Sequence, residues 1–422
     1  MEIALLLHLY QPATQTEEVF RRVYSNSYLP LLRKISKTKD LKISLDLPLS
    51  LLEQIDRYGY ISWIQDLQEL IKIGKVEIAG TAAYHPILSK FPRNIIEQQV
   101  ILNEYGLGYY LGEHHSLEGD EAVLIKNIVG FFPPELSVNE RVLSVLDSLG
   151  YRWMIVDEAS IPFDLNYPNR SGIYQYKEYR TKIVCRNRSF SNFLSFKRDV
   201  NDDDLRDSLN FFRANEKSFA VVLDGEFFGH HYSEGFIVLD RFLENVSKMG
   251  IELVTMSEYV ADNHCDLLKD FAEASWGASD EDMANGNLYP MWDAQGNKIH
   301  SLQWQIMGVL IDAYNSLPDS IDTAEYAVLP IWKSEGIAQI DNPLIKSKVA
   351  REILLQKAIH SDQFWWASKK IMPASEYLYS PDMIERGLKI IEEFTGMLND
   401  TKVTKEVEKR AFKIRDLLST EN

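Results

Sequence analysis

Only two cysteines, Cys185 and Cys265, occur in 422 residues. That excludes both a disulfide framework and a cysteine-rich metal site. Long apolar runs are missing as well, since no stretch reaches the ~18 residues that a membrane span needs. The first residues carry one acidic side chain and a short apolar run, Ile3 to Leu7. They lack the basic region and cleavage site of a secretory signal, so a soluble, cytoplasmic protein is expected, with no membrane partner. Positive charge is the third shortage: 45 Lys and Arg stand against 62 Asp and Glu, a formal net charge of −17. That balance argues against nucleic acid and acidic polysaccharides and suits a neutral ligand. Finally, there is no Gly-x-Ser-x-Gly elbow for a serine nucleophile and no cofactor motif.

What the chain does have is alternation. Short apolar runs at residues 3–7, 42–47, 74–80, 128–132, 152–156, 172–176, 182–185, 219–223 and 251–254 read as strands. Helical patterns at 17–36, 94–111, 138–149 and 235–249 fall between several of them. Such alternation predicts parallel strands with crossover helices, as an open sheet or a barrel. Ser137 is placed to cap the helix from Val138, with Glu140 completing a capping box. After Asn263 the texture becomes loop-like and then helical, at 299–316, 343–360, 382–399 and 402–418. Two domains are expected, 1–264 α/β and 265–422 all-α, with Lys402, Lys405 and Lys409 on a solvated helix face.

The strongest local signal is the run Ser218 to His231, SFAVVLDGEFFGHH. An unbroken apolar strand stops at Asp224, and Gly225 and Glu226 follow. If the backbone stays extended, Asp224 and Glu226 point the same way. Polar groups also follow other apolar runs, at His8, Glu77, Glu135 and Asp157. Parallel α/β folds keep their chemistry at this end of the strands. Glu135 is presented by two prolines, Pro133 and Pro134, which halt its strand. His8 and Glu77 also have structural readings, as a hydrogen-bonded core histidine and an ion-paired carboxylate.

Two carboxylates at different strand ends, without a cofactor motif, point to glycoside hydrolysis, one as nucleophile or base and the other as acid. The rival is a metal-dependent hydrolase such as a polysaccharide deacetylase. The pairs His114-His115 and His230-His231 lack ligand spacing, because adjacent residues on a strand face opposite ways and helical ligands stand three or four apart. No metal is therefore expected. The 21 Tyr, 19 Phe and 8 Trp supply a core and also rings on which sugars stack.

Five short motifs resemble glycoside hydrolase family 57. His8-Leu9-Tyr10-Gln11-Pro12 is similar to the first, usually His-x-His-Gln-Pro. Gly74-Lys75-Val76-Glu77, with Tyr84-His85-Pro86 downstream, resembles the second. Phe132-Pro133-Pro134-Glu135 resembles the Trp-x-Pro-Glu segment, and Asp224-Gly225-Glu226-Phe227-Phe228-Gly229-His230 the Asp-x-Glu-x-Phe-Gly segment. Ser361-Asp362-Gln363-Phe364-Trp365-Trp366 is similar to the late Ser-Asp-aromatic motif. The resemblance implies an incomplete (β/α)7 barrel followed by a helical domain that contributes to the substrate cleft. It implies a retaining α-glycosidase, α-amylase-like, acting on an α-linked glucan or oligosaccharide, without cofactor. Glu135 would be nucleophile and Asp224 general acid/base. His8, Gln11, Glu77 and His85 would hold the sugar, supported by Glu226 and His230, while Trp276 and Asp362 would reach the cleft from the helical domain. Tyr10 and Phe132 depart from the family's histidine and tryptophan. A 4-α-glucanotransferase, a branching enzyme and an inactive glycan-binding relative remain open alternatives.

Overall fold

Ten strands lie among the described residues. They are β1 (Glu2–His8), β2 (Ile43–Asp46), β3 (Val76–Ala79), β4 (Gly130–Phe131), β5 (Trp153–Val156), β6 (Gly172–Tyr176), β7 (Lys182–Cys185), β8 (Phe219–Asp224), β9 (Glu252–Val254) and β10 (Cys265–Leu268). The computed structural model describes residues 1–112, 128–162, 170–214, 218–317, 330–368 and 379–420. The pair His114-His115 lies outside them. Two units form: Met1–Gln11, Gln15–Ala82 and Leu88–Trp276 in one, and Pro12–Thr14, Ala83–Ile87 and Gly277–Asn422 in the other.

In the first unit one sheet runs β3-β2-β1-β8, with β9 paired to the start of β1, and the second runs β10-β6-β7-β5-β4. Every pairing is parallel except β6 with β7. The exception departs from the expected pattern because only residues 177–181 join these two strands, too few for a crossover. The sheets are not one continuous ladder. A parallel bridge joins Gly80 to Phe131, and on the other side Asn187 N–H donates to Ala220 O at 2.8 Å.

The core explains where the polar groups end up. Ala4 and Leu6, Ala220 and Val222, Trp153 and Ile155, and Val184 belong to one buried cluster. Each such side chain contributes about 1.5–3 kcal/mol when fully buried, with alanine giving less. Because strand side chains alternate, two residues further on the same face carries His8, Asp224, Asp157 and Arg186. One side of the strand set is thus apolar for two rungs and polar at the third.

Local differences have local causes. Asn139, not Ser137, caps the helix Glu140–Leu149, accepting from Val142 N–H at 3.1 Å. Val138, which an earlier helix start would need, instead forms an antiparallel bridge with Ala274. The helical stretch after residue 16 contains a wider turn at Tyr24–Tyr28. Strand β10 escaped the pattern because Asp266 and Leu267 are both exposed, so it shows no alternation. Its pairing with β6 carries residues 265–276, including Trp276, into the first unit.

The second unit is helical, with Lys298–Asn315 packed on Thr401–Thr420 and Pro343–Ala358 on Pro381–Leu398. Lys402, Lys405 and Lys409 are exposed there, as a solvated face requires. No described helix is long and apolar enough to cross a membrane.

Candidate active site

His8 sits at the centre of one rung. It registers with Asp46 on β2 and with Asp224 on β8, so three strand ends carry an imidazole between two carboxyl groups. Adjacent strands lie ~4.8 Å apart, which sets the spacing of their backbones. His8 Nδ1 meets Asp46 Oδ2 at 2.8 Å, and both side chains are buried. Burial alone would lower the imidazole, but the Asp46 carboxylate, with Asp224 and Glu226, pushes it up to about 9. Burial raises Asp46 to about 6, against the pull of His8. Each group thus favours the charged form of the other. Asp224, in contrast, is only half-buried.

Glu135 arrives by a different route. Phe132 N–H bonds Gly80 O at 2.8 Å, and the two prolines then end regular pairing. Glu135 itself adopts φ 57°, ψ 18°, and Leu136 follows at φ 44°. A left-handed conformation costs a side-chain-bearing residue roughly 1–2 kcal/mol, and such strain gathers at functional positions. Trp276 holds the result in place. Its indole Nε1–H donates to Glu135 Oε2 at 2.8 Å, and its backbone N–H donates to Glu135 O at 3.0 Å.

Aromatic contacts join the two halves. Phe132 stacks on His8 with ring centroids 4.5 Å apart and planes 12° apart. The Trp276 ring presents an edge to both, at 5.9 Å from Phe132 and 6.3 Å from His8. Glu135 is therefore one indole from the imidazole whose neighbouring strand ends in Asp224.

Other expected residues fall into two groups. Glu226 does not continue the strand, because the chain tightens into a turn at Gly225–Phe227. Its buried carboxylate accepts Tyr10 N–H at 2.9 Å and the Tyr28 hydroxyl, anchoring the segment after β1. Burial raises its pKa. Gln11 joins that cluster, donating to Tyr28 Oη at 3.1 Å. Glu77 registers with Ser44, two residues before Asp46, and so stays below the His8 rung. It accepts Ser44 Oγ–H at 2.6 Å and Ser257 N–H at 3.2 Å, a structural arrangement at the start of the helix Met256–Asp262. His230 lies beside His231, ring centroids 4.9 Å apart, and burial pushes it down to about 4. Its backbone N–H bonds Glu226 O at 3.2 Å.

His85 and Asp362 belong to the second unit. His85, at φ 56°, places Nδ1 2.9 Å from Ser361 Oγ, and Asp362 opens the short helix Asp362–Trp365. Trp276, expected from the helical part, belongs to the strand unit instead.

Three residues were missed as site residues: Asp46, Tyr28 and Arg186. Asp46 closes an apolar strand just as Asp224 does, and the same rule would have found it. Arg186 follows the apolar Ile183-Val184-Cys185 in the same manner. It donates to Asp157 Oδ2 at 2.6 Å and to Val222 O at 3.0 Å. Asp157 is buried, which alone would raise it, yet Arg186 and Arg188 hold it below the usual carboxylate range. Tyr28 carries no signal in the sequence, being one tyrosine on a helical segment. Among the described residues no group of three or more His, Cys, Asp or Glu is placed to hold a metal ion.

The family described as "Glycosyl hydrolase family 57" matches this chain over residues 6–266. An alpha-amylase of Pyrococcus horikoshii is 29% identical over 98 residues, 23% of this chain and 15% of that protein. The structure of a 4-alpha-glucanotransferase from Thermococcus litoralis matches with a TM-score of 0.64 at 17% identity. That match covers 93% of this chain and 58% of the transferase. A GH57-type branching enzyme from Pyrococcus horikoshii matches with a TM-score of 0.64 at 16% identity, covering 97% of this chain and 94% of that one. These structural likenesses establish a shared fold.

Proposed function

The chain belongs to glycosyl hydrolase family 57, and we propose that it is a retaining α-glycosidase acting on an α-linked glucan or oligosaccharide. The first unit is then the family's incomplete barrel. The observation that carries the reading is Glu135: a carboxylate on a strained left-handed backbone, fixed by the Trp276 indole. One aromatic contact away stands His8, beside the strand that ends in Asp224.

The reaction follows by double displacement. A Glu135 carboxylate oxygen attacks the anomeric carbon while the bond to the leaving oxygen breaks. The Asp224 carboxyl gives its proton to that oxygen, and a glycosyl ester of Glu135 results. Asp224, now ionised, takes a proton from water as the water oxygen attacks the same carbon. The ester bond breaks, Glu135 is released as carboxylate, and Asp224 regains its proton. Two inversions give net retention. His8 lines the sugar side, its orientation fixed by Asp46 at Nδ1. A sugar hydroxyl in place of water would give transglycosylation through the same intermediate, and glucanotransferase and branching enzymes share the fold.

Maltooligosaccharides with reducing-sugar release, and NMR of the first-formed anomer, test the assignment. The expected product is the α-anomer from the intact chain and none from Glu135→Ala. A first-formed β-anomer, or full activity in Glu135→Ala, would overturn it. Longer or α-1,6-linked products at high acceptor concentration would identify transfer as the main outcome.

A further inference from the structure

Arg186 has no role in the reaction just described, yet it touches the residue that holds the nucleophile. It is buried at the end of β7, and three contacts fix its guanidinium: Asp157 Oδ2 at 2.6 Å, Val222 O at 3.0 Å and Asn192 Oδ1 at 3.5 Å. Its central carbon lies 5.4 Å from the centroid of the Trp276 ring. The Trp276 indole N–H in turn donates to Glu135 Oε2 at 2.8 Å. A chain of contacts thus runs from the floor carboxylate Asp157 through Arg186 and Trp276 to Glu135.

We propose that Arg186 is a positioning residue that clamps the Trp276 indole so that its N–H stays directed at the Glu135 carboxylate. The indole carries two jobs that pull in different directions. It borders the site beside His8 and Phe132, where an entering sugar would press on it, and it must keep a single hydrogen bond on the nucleophile. A cation against the ring resists rotation, because the ring quadrupole attracts it. It also draws electron density from the indole, which strengthens the N–H as a donor. Asp157 keeps the guanidinium in a fixed plane by accepting from Nε, and lysine cannot reproduce that fork geometry. Arg188 provides a control within the same network. It pairs with the other oxygen of the same carboxylate, Asp157 Oδ1.

This inference rests on the assignment of Glu135 as nucleophile, and the test separates the two. The full chain is labelled with 15N at its indoles, and the Trp276 Nε1–H resonance is identified by its loss in Trp276→Phe. It should be moved by Glu135→Gln. In Arg186→Met it should shift toward the position of a solvent-exposed indole and exchange with water about tenfold faster. The same variant should lose about tenfold in kcat, with KM changed less than about threefold, the size of effect a desolvated cation–π contact carries. Arg186→Lys, which keeps charge beside Asp157, should fold normally and recover only part of both. Arg188→Met should leave the resonance in place. An unmoved resonance in Arg186→Met and Arg186→Lys would overturn the proposal, as would equal changes in Arg188→Met. If the intact chain turns over no α-glucan, the nucleophile assignment fails, while the resonance still reports whether Arg186 holds Trp276.

Discussion

The ends of β4 and β8 each deliver a carboxyl group, and they do it in opposite ways. β8 is six residues long, is buried along its length, and ends in Asp224 as the next residue of an ordinary strand. β4 has only Gly130 and Phe131, and reaches Glu135 through two prolines, with Glu135 and Leu136 two successive left-handed residues. Asp224 emerges half-buried, whereas Glu135 is buried and held by two hydrogen bonds from one tryptophan. The difference suits the two chemical roles proposed for them. A nucleophile must hold one position in the attack, while an acid/base must exchange protons with a leaving group and then with water.

The largest expected effect separates the two ends directly. Glu135→Ala and Asp224→Ala should each cost roughly a thousandfold or more in kcat on maltooligosaccharides, as losing a member of a catalytic pair does. Added azide should then distinguish them by product. Glu135→Ala should yield a glycosyl azide of inverted configuration, and Asp224→Ala one of retained configuration, read by NMR. Identical products would erase the contrast between the two strand ends.

The next effect concerns how β4 is built. A Cβ added at Gly130 would lie 1.8 Å from Trp153 Cζ2, far inside contact distance. Gly130→Ala should therefore destabilise the chain by about 1–3 kcal/mol, seen as a lower midpoint in urea, with activity falling alongside. An unchanged midpoint would mean that β4 and β5 need not pack so closely.

A smaller effect tests the rung that β8 shares with β1. His8 is held up to about 9 against burial chiefly by Asp46. The stability that its proton contributes is lost as pH rises through about 9, and at low pH it is lost as well once Asp46, raised to about 6, takes up a proton. Asp46→Asn should lower the His8 midpoint by more than about one unit in an NMR titration. A midpoint still near 9 would place the responsible charge on Asp224 or Glu226 instead.

The smallest effect concerns Glu77. Its carboxylate serves Ser44 and the helix at Met256–Asp262, so Glu77→Gln should lower thermal stability by a few degrees. Its activity per folded molecule should stay within about threefold. A hundredfold loss in kcat would return it to the sugar-binding set.

The contrast between β4 and β8 also marks what could be read from residues alone. β8 was visible because both of its faces are buried, so its apolar run is unbroken and its end is sharp. The long helices were visible by their period. Glu135 was legible through Pro133 and Pro134, but its left-handed backbone was not, since nothing in its neighbours demands positive φ. The helix start at Asn139 was misplaced because Val138 pairs with the distant Ala274, a contact that local sequence does not carry. Glu77 and Glu226 were expected in the site from their place in short motifs, and their partners could not be read there. Register, a long-range property, put the first below the rung, and a tightened turn gave the second the Tyr10 N–H and the Tyr28 hydroxyl as partners while leaving it within electrostatic reach of His8. Arg186 and Asp46 obeyed the strand-end rule that identified Asp224, and only their partners across the sheet reveal what they do.

The central claim is that Glu135 forms the covalent bond to sugar. A slow α-glucosyl fluoride carrying fluorine at C5 would trap the intermediate, and peptide mass mapping would locate it. One glycosyl group on the peptide containing Glu135, absent from Glu135→Gln, is the predicted result. A label on the peptide containing Asp224, or turnover of the reagent in Glu135→Gln, would contradict it.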